Sequence, residues 1–122
     1  MDYKEFAKSI LPRDLLDFFE ITGVKIIPES INQEDYYVIT LEENNIIPNE
    51  YNLDDYESKG FYKARLIQDF PLRGRGVYLE IHRRRWRHKL SKQNIHRDFT
   101  LIAEGTKFTK ELSDFLKQAH KQ

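Results

Sequence analysis

The chain has 122 residues, of which 39% are hydrophobic, 20 are basic and 20 are acidic, so its formal net charge is zero. This length suits one hydrophobic core and predicts a single domain over residues 1–122. The lack of cysteine excludes disulfides, thiolate catalysis and a cysteine-based zinc site. No apolar run reaches membrane-spanning length, and the start MDYKEF does not resemble a secretory signal, so we expect a cytoplasmic protein with no membrane partner.

The zero net charge conceals two segments of opposite sign. Residues 1–58 carry 14 acidic and 4 basic side chains, whereas residues 59–97 carry 12 basic side chains and 2 acidic ones. Because electrostatic fields are local in physiological salt, the basic segment could bind a polyanion. The alternative is that the two segments lie against each other and neutralise one another.

The acidic half, residues 1–58, reads as a helix followed by a hairpin. Residues 10–23 predict a helix, with Pro12 suited to its first turn and Gly23 to its C-terminal cap. Residues 24–28 and 36–43 predict two strands, and residues 44–60 predict a connecting loop.

The basic half, residues 59–122, reads as a three-stranded antiparallel meander followed by a helix. We expect strands at 62–70, 77–86 and 95–102, with a glycine-rich turn after the first. Residues 109–120 predict an amphipathic helix. Its buried face would comprise Phe108, Leu112, Phe115, Leu116 and Ala119. The sequence therefore predicts an α+β fold, a small ribbon-like antiparallel sheet with a helix at each end.

The stretch HRRRWRHK, residues 82–89, places four arginines and a lysine around the only tryptophan. Strand alternation puts Val77, Leu79 and Ile81 on one side, continued by Arg83 and Arg85. Since unpaired guanidinium groups are costly to bury, residues 83–89 are predicted to form a hairpin tip that projects beyond the core. A turn near Ser91 would place Arg84 opposite Asp98.

Arginine offers a planar fork of donors for phosphate oxygens, and tryptophan offers a face that can stack on a base. A two-stranded β ribbon also fits the major groove of DNA. This composition indicates a nucleic-acid surface, and the alternative is a salt-bridged strand end with Trp86 capping the core. The candidate DNA-binding residues are Arg73, Arg75, Arg83, Arg84, Arg85, Trp86, Arg87, His88, Lys89, Lys92 and Arg97.

Other chemistry has little support in the sequence. No nucleophile, base and orienting group converge, and RGRG at 73–76 lacks the Lys-Ser/Thr ending of a phosphate-binding loop. His82, His88 and His96 have no compact metal-ligand spacing, so we expect no metal and no cofactor. The adjacent carboxylates Glu42 and Glu43 are interpreted as solvated rather than catalytic. We therefore expect a protein that is not an enzyme.

Five segments stand out together: NIIP at 45–48, SKGF at 58–61, IQDFPLRG at 67–74, VYLEIHRRRW at 77–86 and GTKFT at 105–109. They resemble the N-terminal region of a group of bacterial insertion-sequence transposases. In that group, this region is encoded ahead of, or separately from, the catalytic part. The similarity spans nearly the whole chain.

In that wider family the N-terminal domain is typically a zinc ribbon, in which an Arg-Arg-aromatic strand leads into a Cys-x-x-Cys knuckle. Arg84, Arg85 and Trp86 match the strand, whereas the cysteine positions fall near His88 and Ser91. The resemblance thus implies the hairpin of the ribbon without its zinc. The core would then be held by the closing helix together with Phe70, Leu79, Ile81, Phe99 and Leu101.

What the resemblance implies is a non-catalytic module that recognises transposon ends in double-stranded DNA and acts with a separate DDE catalytic subunit. The alternative is a protein-interaction module that docks a basic partner through its acidic half and does not bind DNA itself. In that case the arginine strand would close an intramolecular contact.

Overall fold

The computed structural model describes residues 3–28, 35–99 and 108–120. Within them the predicted α+β class is confirmed, with three α-helices, one 3-10 helix (Leu53–Asp55) and seven strands. The helices are α1 (Tyr3–Ile10), α2 (Arg13–Leu16) and α3 (Lys110–His120). The strands are β1 (Phe19–Ile27), β2 (Tyr36–Glu43), β3 (Tyr56–Phe61), β4 (Arg65–Leu72), β5 (Arg75–His82), β6 (Arg84–His88) and β7 (Asn94–Ile95).

The prediction of one helix over residues 10–23 is wrong. Helix α2 ends at Leu16, and β1 begins at Phe19, where Phe19 and Ile21 are buried at the alternate spacing of a strand. Pairing with β2 in antiparallel register stabilises this extended conformation. The preceding helix α1 buries Ala7 against the sheet and was not predicted.

Sheet A contains four strands in the order β1-β2-β5-β4. β1 pairs with β2 and β4 pairs with β5 in antiparallel fashion, whereas β2 and β5 are parallel, which the expected meander did not include. Because β2 comes from the acidic half and β5 from the basic half, the division of charge along the chain does not divide the fold into two parts.

Sheet B contains three strands in the order β3-β6-β7. Strand β3 lies partly within the predicted loop 44–60, and the predicted strand 77–86 is divided between the two sheets. Trp86 pairs with Ile95, so the hairpin register differs by one residue from the expected pairing of Arg84 with Asp98. Of the predicted strand 95–102, residues 100–102 lie outside the described residues.

The main core lies between sheet A and helices α1 and α2. Leu79 and Ile81 belong to it as predicted, and Phe99 packs against it partly buried. Phe70 does not, because 38% of its surface is exposed, and Leu101 lies outside the described residues. The buried cluster comprises Ala7, Leu11, Leu15, Phe19, Ile21, Ile39, Leu41, Ile67, Val77, Leu79 and Ile81.

Helix α3 has nearly the predicted bounds, but of its predicted buried face only Leu112 is buried, while Phe108 is half-buried and Ala119 is exposed. Leu112 and Ser113 are buried, whereas Phe115 is 58% exposed and Leu116 is 39% exposed. The helix is attached at its start, where Thr109 lies beside β4. No helix in the described part of the chain has the length and apolar character needed to cross a membrane.

Candidate nucleic-acid interface

The arginine-rich stretch does not continue the alternation of β5. Arg83 lies between β5 and β6, outside both strands, and this interruption shifts the inward positions by one residue. Val77, Leu79 and Ile81 are buried in β5, and Trp86 is the buried residue of β6. The prediction that Arg83 and Arg85 continue the face of Ile81 is therefore wrong for Arg85, since Trp86 faces inward in its place.

Trp86 anchors sheet B rather than presenting a ring to solvent. Only 1% of its surface is exposed, and its Nε1 donates a hydrogen bond of 2.8 Å to Oδ1 of Asn45. The indole packs, as in the alternative that the sequence left open, and has no exposed face on which a base could stack. β6 thus lies within the fold, and the projecting tip begins after His88, with Lys89 and Leu90 exposed.

A buried carboxylate joins the two sheets. Glu43, at the end of β2, is 1% exposed, and its Oε1 accepts a hydrogen bond of 2.9 Å from the backbone N–H of Arg84. Its backbone carbonyl accepts one of 3.2 Å from Arg84 Nε, and its Oε2 lies 3.8 Å from Arg97 Nε. The interpretation of Glu43 as a solvated carboxylate is wrong.

Burial controls the ionisation of Glu43. Loss of hydration raises the pKa of this carboxyl above its ordinary value of 4.5, and this effect outweighs the lowering by the Arg84 N–H and the neighbouring guanidinium groups. The sequence does contain a signal for the burial of Glu43. Ile39, Leu41 and Glu43 occupy alternate positions of one strand and therefore share its inward face.

Backbone carbonyl oxygens hold several guanidinium groups in place. Arg83 Nη2 donates to the carbonyl of Arg97 at 2.6 Å, and Arg85 Nη2 donates to that of Lys59 at 3.1 Å. Arg97 Nη2 donates to the carbonyl of Ile46 at 2.7 Å. A carbonyl acceptor fixes the orientation of a guanidinium group but leaves its full positive charge, unlike a carboxylate.

Aromatic rings support the same side chains. Each of four guanidinium carbons lies 4.1–5.9 Å from a ring centroid, within the range of a cation–π contact. The pairs are Arg83 with Phe99 at 5.9 Å, Arg84 with Phe61 at 4.7 Å, Arg85 with Tyr62 at 5.8 Å and Arg97 with Phe18 at 4.1 Å. These rings also leave the charge in place. We refer to Arg83, Arg84, Arg85, Arg87 and Arg97 as the arginine cluster.

The face of β6 opposite Trp86 carries Arg85 and Arg87. Arg87 pairs across the strands with Glu57, whose Oε1 accepts from Arg87 Nη2 at 3.3 Å. Lys59 Nζ lies 3.5 Å from the same carboxylate oxygen. The hydrogen bond from Arg87 lowers the pKa of Glu57, so this carboxylate compensates part of the positive charge at neutral pH.

The remaining candidates lie in two turns. Lys89 and Lys92 are exposed in the turn between β6 and β7, adjoining the arginine cluster. Arg73 and Arg75 lie at the turn between β4 and β5, at the opposite end of β5, and Arg75 Nη1 donates to the hydroxyl of Tyr37 at 3.0 Å. The structure therefore brings together the arginine cluster and the turn lysines, but not Arg73 and Arg75.

The residues at the knuckle positions do not suit zinc. Nδ1 of His88 accepts from the backbone N–H groups of Leu90 and Ser91, at 3.2 and 3.1 Å, so it closes the turn. Among the described residues, no group of three or more His, Asp or Glu side chains is arranged to hold a metal ion. The hairpin is instead held by Trp86 and its contact with Asn45.

This arrangement can bind an anion through several oriented guanidinium groups. The sequence identified the arginines from their charge but missed the distant partners of this strand. Glu43 binds Arg84, the backbone carbonyl of Lys59 binds Arg85, and Asn45 binds Trp86. Searches against protein-family models, curated proteins and solved structures found no match to the chain.

Proposed function

We propose that this chain is a non-catalytic DNA-binding module of an insertion-sequence transposase, which contacts transposon ends through the arginine cluster and acts with a separate DDE catalytic subunit. The observation that carries the proposal is the support of Arg83, Arg85 and Arg97 by backbone carbonyls and aromatic rings. Such contacts orient the guanidinium groups before DNA arrives while leaving them charged, which reduces the entropy lost on binding.

Acidic side chains of the protein neutralise only part of the positive charge of the arginine cluster. Glu43 and Glu57 contact the arginine cluster and Lys59, so two carboxylates face six basic side chains. A guanidinium group has five N–H donors, and Arg85 and Arg87 each direct one of them to a protein acceptor. The Nε atoms of Arg85 and Arg87 are buried, so it is their remaining Nη N–H groups that suit phosphate oxygens and the acceptor edges of guanine.

The turn between β6 and β7 adds positive charge to this surface. Because β6 pairs with β3 as well as with β7, the hairpin is not the free two-stranded ribbon that the sequence suggested, but Lys89 and Lys92 are exposed in its turn and can contact phosphate oxygens. Because Trp86 is buried, the contacts would be ionic and hydrogen-bonded rather than stacked. If about six phosphates are neutralised, log affinity falls against log salt with a slope near −5.

The test is a salt series of fluorescence anisotropy titrations with a duplex from the end of the element and a shuffled duplex of equal length. Replacing both Arg85 and Arg87 with Gln leaves Glu43 and Trp86 untouched and should reduce the magnitude of the salt slope by about 2. The matched control replaces Arg73 and Arg75, which removes the same charge at the far end of β5. Equal reductions of the salt slope in the two double variants, or no binding of either duplex by wild type at low salt, would contradict the proposal.

The protein-interaction alternative has one structural observation in its favour. Arg84 closes an intramolecular contact with Glu43 and with Ser58 Oγ, at 2.7 Å for the latter, while Asp54 and Asp55 remain exposed. An acidic surface of this kind could dock a basic catalytic subunit. Co-purification with the product of the neighbouring reading frame, without any mobility shift of the end duplex, would favour this alternative.

A further inference from the structure

A second candidate site lies between helix α1 and sheet A. The cavity there has a volume of about 700 Å³ and is lined by α1, β1, β2 and the β4–β5 turn region. This volume lies in the range of small-molecule pockets, roughly 300–1,000 Å³. None of the arginine cluster lines it, so it is independent of the proposed DNA surface.

The cavity has an apolar floor and an apolar rim. Ala7, Ile39 and Val77 form the floor and are each less than 5% exposed. The rim includes Phe6, which is 50% exposed, and Ile26, which is 60% exposed. Large apolar side chains turned toward an open cavity keep water against hydrocarbon, and a ligand with an apolar body would remove that contact.

Polar groups collect at one side of this cavity. Tyr37 lines it, and its hydroxyl accepts a hydrogen bond of 3.0 Å from Arg75 Nη1. Of the lining residues that the structure describes, Lys25 alone is charged. Asp35 supplies one negative charge close to Arg75.

We propose that this cavity binds a small amphipathic carboxylate of the fatty-acid type. The apolar chain lies between α1 and sheet A, and the carboxylate accepts hydrogen bonds from Arg75 and from the hydroxyl of Tyr37, which uses its lone pair toward Arg75 and keeps its O–H free to donate. Lys25 adds positive charge. A predominantly apolar lining with a few polar groups on one side is the usual form of such a site.

Calorimetric titration at pH 7 with decanoate, decanol and decyltrimethylammonium separates the contributions of chain and head group. Decanoate is expected to bind at least about tenfold more tightly than the ammonium compound, since the two share a chain and differ in charge. Equal affinities, or no heat from decanoate, would overturn the proposal.

Single substitutions locate the site. Arg75→Gln should weaken decanoate about fivefold and leave decanol unchanged, whereas Lys117→Gln on α3 should affect neither. Phe6→Ala should weaken both ligands, and Leu90→Ala, which truncates a side chain that is 88% exposed in the β6–β7 turn, should weaken neither. Val24→Phe should fill the cavity and abolish binding, with circular dichroism confirming the fold.

Two results would assign the cavity differently. If wild type is a dimer and Phe6→Ala makes it a monomer, a second copy covers this face and the ligand proposal is wrong. If decanoate binding is lost in the Arg85 and Arg87 double variant but not in Arg75→Gln, the carboxylate binds to the arginine cluster instead, which also overturns it. Loss of DNA binding in that double variant tests the proposed function separately.

Discussion

The backbone N–H of Arg84 donates a hydrogen bond of 2.9 Å to Oε1 of Glu43, across 41 residues of sequence. This bond joins the end of β2 in sheet A to the start of β6 in sheet B. It satisfies an N–H group at the point where the chain leaves one sheet for the other. The irregular position of Arg83, and hence the inward orientation of Trp86, is stabilised by this contact.

The raised pKa of Glu43 predicts a specific pH dependence of stability. Between 4.5 and the folded-state pKa, the folded protein retains a proton that the unfolded chain has released, so this carboxyl makes the fold less stable as pH rises through that interval. Glu43→Gln does not titrate. Its free energy of unfolding relative to wild type should therefore increase from pH 4 to pH 7 in urea denaturation.

Glu57→Gln supplies a control of opposite sign. The pKa of Glu57 is lowered by its hydrogen bond with Arg87, so its stabilising contribution in wild type is present above 4.5 and is lost as pH falls through the folded-state pKa. At pH 7 the free energy of unfolding of Glu57→Gln should be lower than that of wild type, and this difference should shrink as the pH falls. If the free energies of unfolding of wild type and Glu43→Gln changed in parallel with pH, burial would not be what determines the pKa of Glu43.

Local pattern was sufficient for some elements and insufficient for others. Strand β2 matches its predicted bounds because it is rich in aromatic and β-branched residues and places Tyr37, Ile39 and Leu41 on one face, and α3 was located by its helical spacing. Residues 18–21 fit either period, and pairing of Phe19 with Glu43 selects the strand. The parallel pairing of β2 with β5 joins distant segments and leaves no local signal.

The site was predictable in its charges but not in its geometry. Arginine is compatible with either face of a strand end, so nothing in the sequence marks the interruption at Arg83. The interruption is stabilised by the hydrogen bond between Arg84 and Glu43, and the buried indole of Trp86 bonds to Asn45. In each pair, 41 residues of sequence separate the two partners. The exposed residues of α3 show the same limit, since helical spacing defines a face but not what packs against it.

Trp86 is predicted to report on the fold rather than on DNA. Replacing it with Phe removes volume and the hydrogen bond to Asn45, at a cost of about 1–3 kcal/mol in free energy of unfolding. In a double-mutant cycle with Asn45→Ala, the coupling energy should be about 1 kcal/mol.

The fluorescence of Trp86 should not respond to DNA. In wild type, a buried indole gives blue-shifted emission that saturating DNA leaves unchanged. A strong quench on adding DNA would indicate stacking and contradict the buried position.

Gly60 is predicted to be required by the bulge in β3. Its φ of 78° lies in the left-handed region, between Ser58 and Phe61, where the pairing with β6 shifts register. A Cβ there would meet no atom within 4 Å, so the cost of Gly60→Ala is conformational and should be about 1 kcal/mol. Gly23→Ala, without a positive φ, is the matched control and should cost less in the same urea denaturation.

Thr109 is predicted to determine whether α3 stays attached. It is 3% exposed, its Oγ1 donates to Asp69 Oδ1 at 2.9 Å, and the same oxygen accepts from the N–H of Leu112 at 3.3 Å, which is the geometry of an N-terminal cap. Thr109→Val keeps the shape but leaves the buried Asp69 carboxylate without this donor, at a cost of about 1–3 kcal/mol. Thr109→Ser, which keeps the hydroxyl, should retain most of the stability.

Proteolysis distinguishes detachment of α3 from general loss of stability. Because α3 packs few residues against the sheet and Phe115 is exposed, losing the Thr109 contacts should release this helix before the rest of the fold opens. Limited trypsin digestion of Thr109→Val should therefore cleave at Lys110 or Lys117 while residues 3–99 persist as one fragment. Simultaneous cleavage throughout the chain would show instead that α3 and sheet A unfold as one cooperative unit.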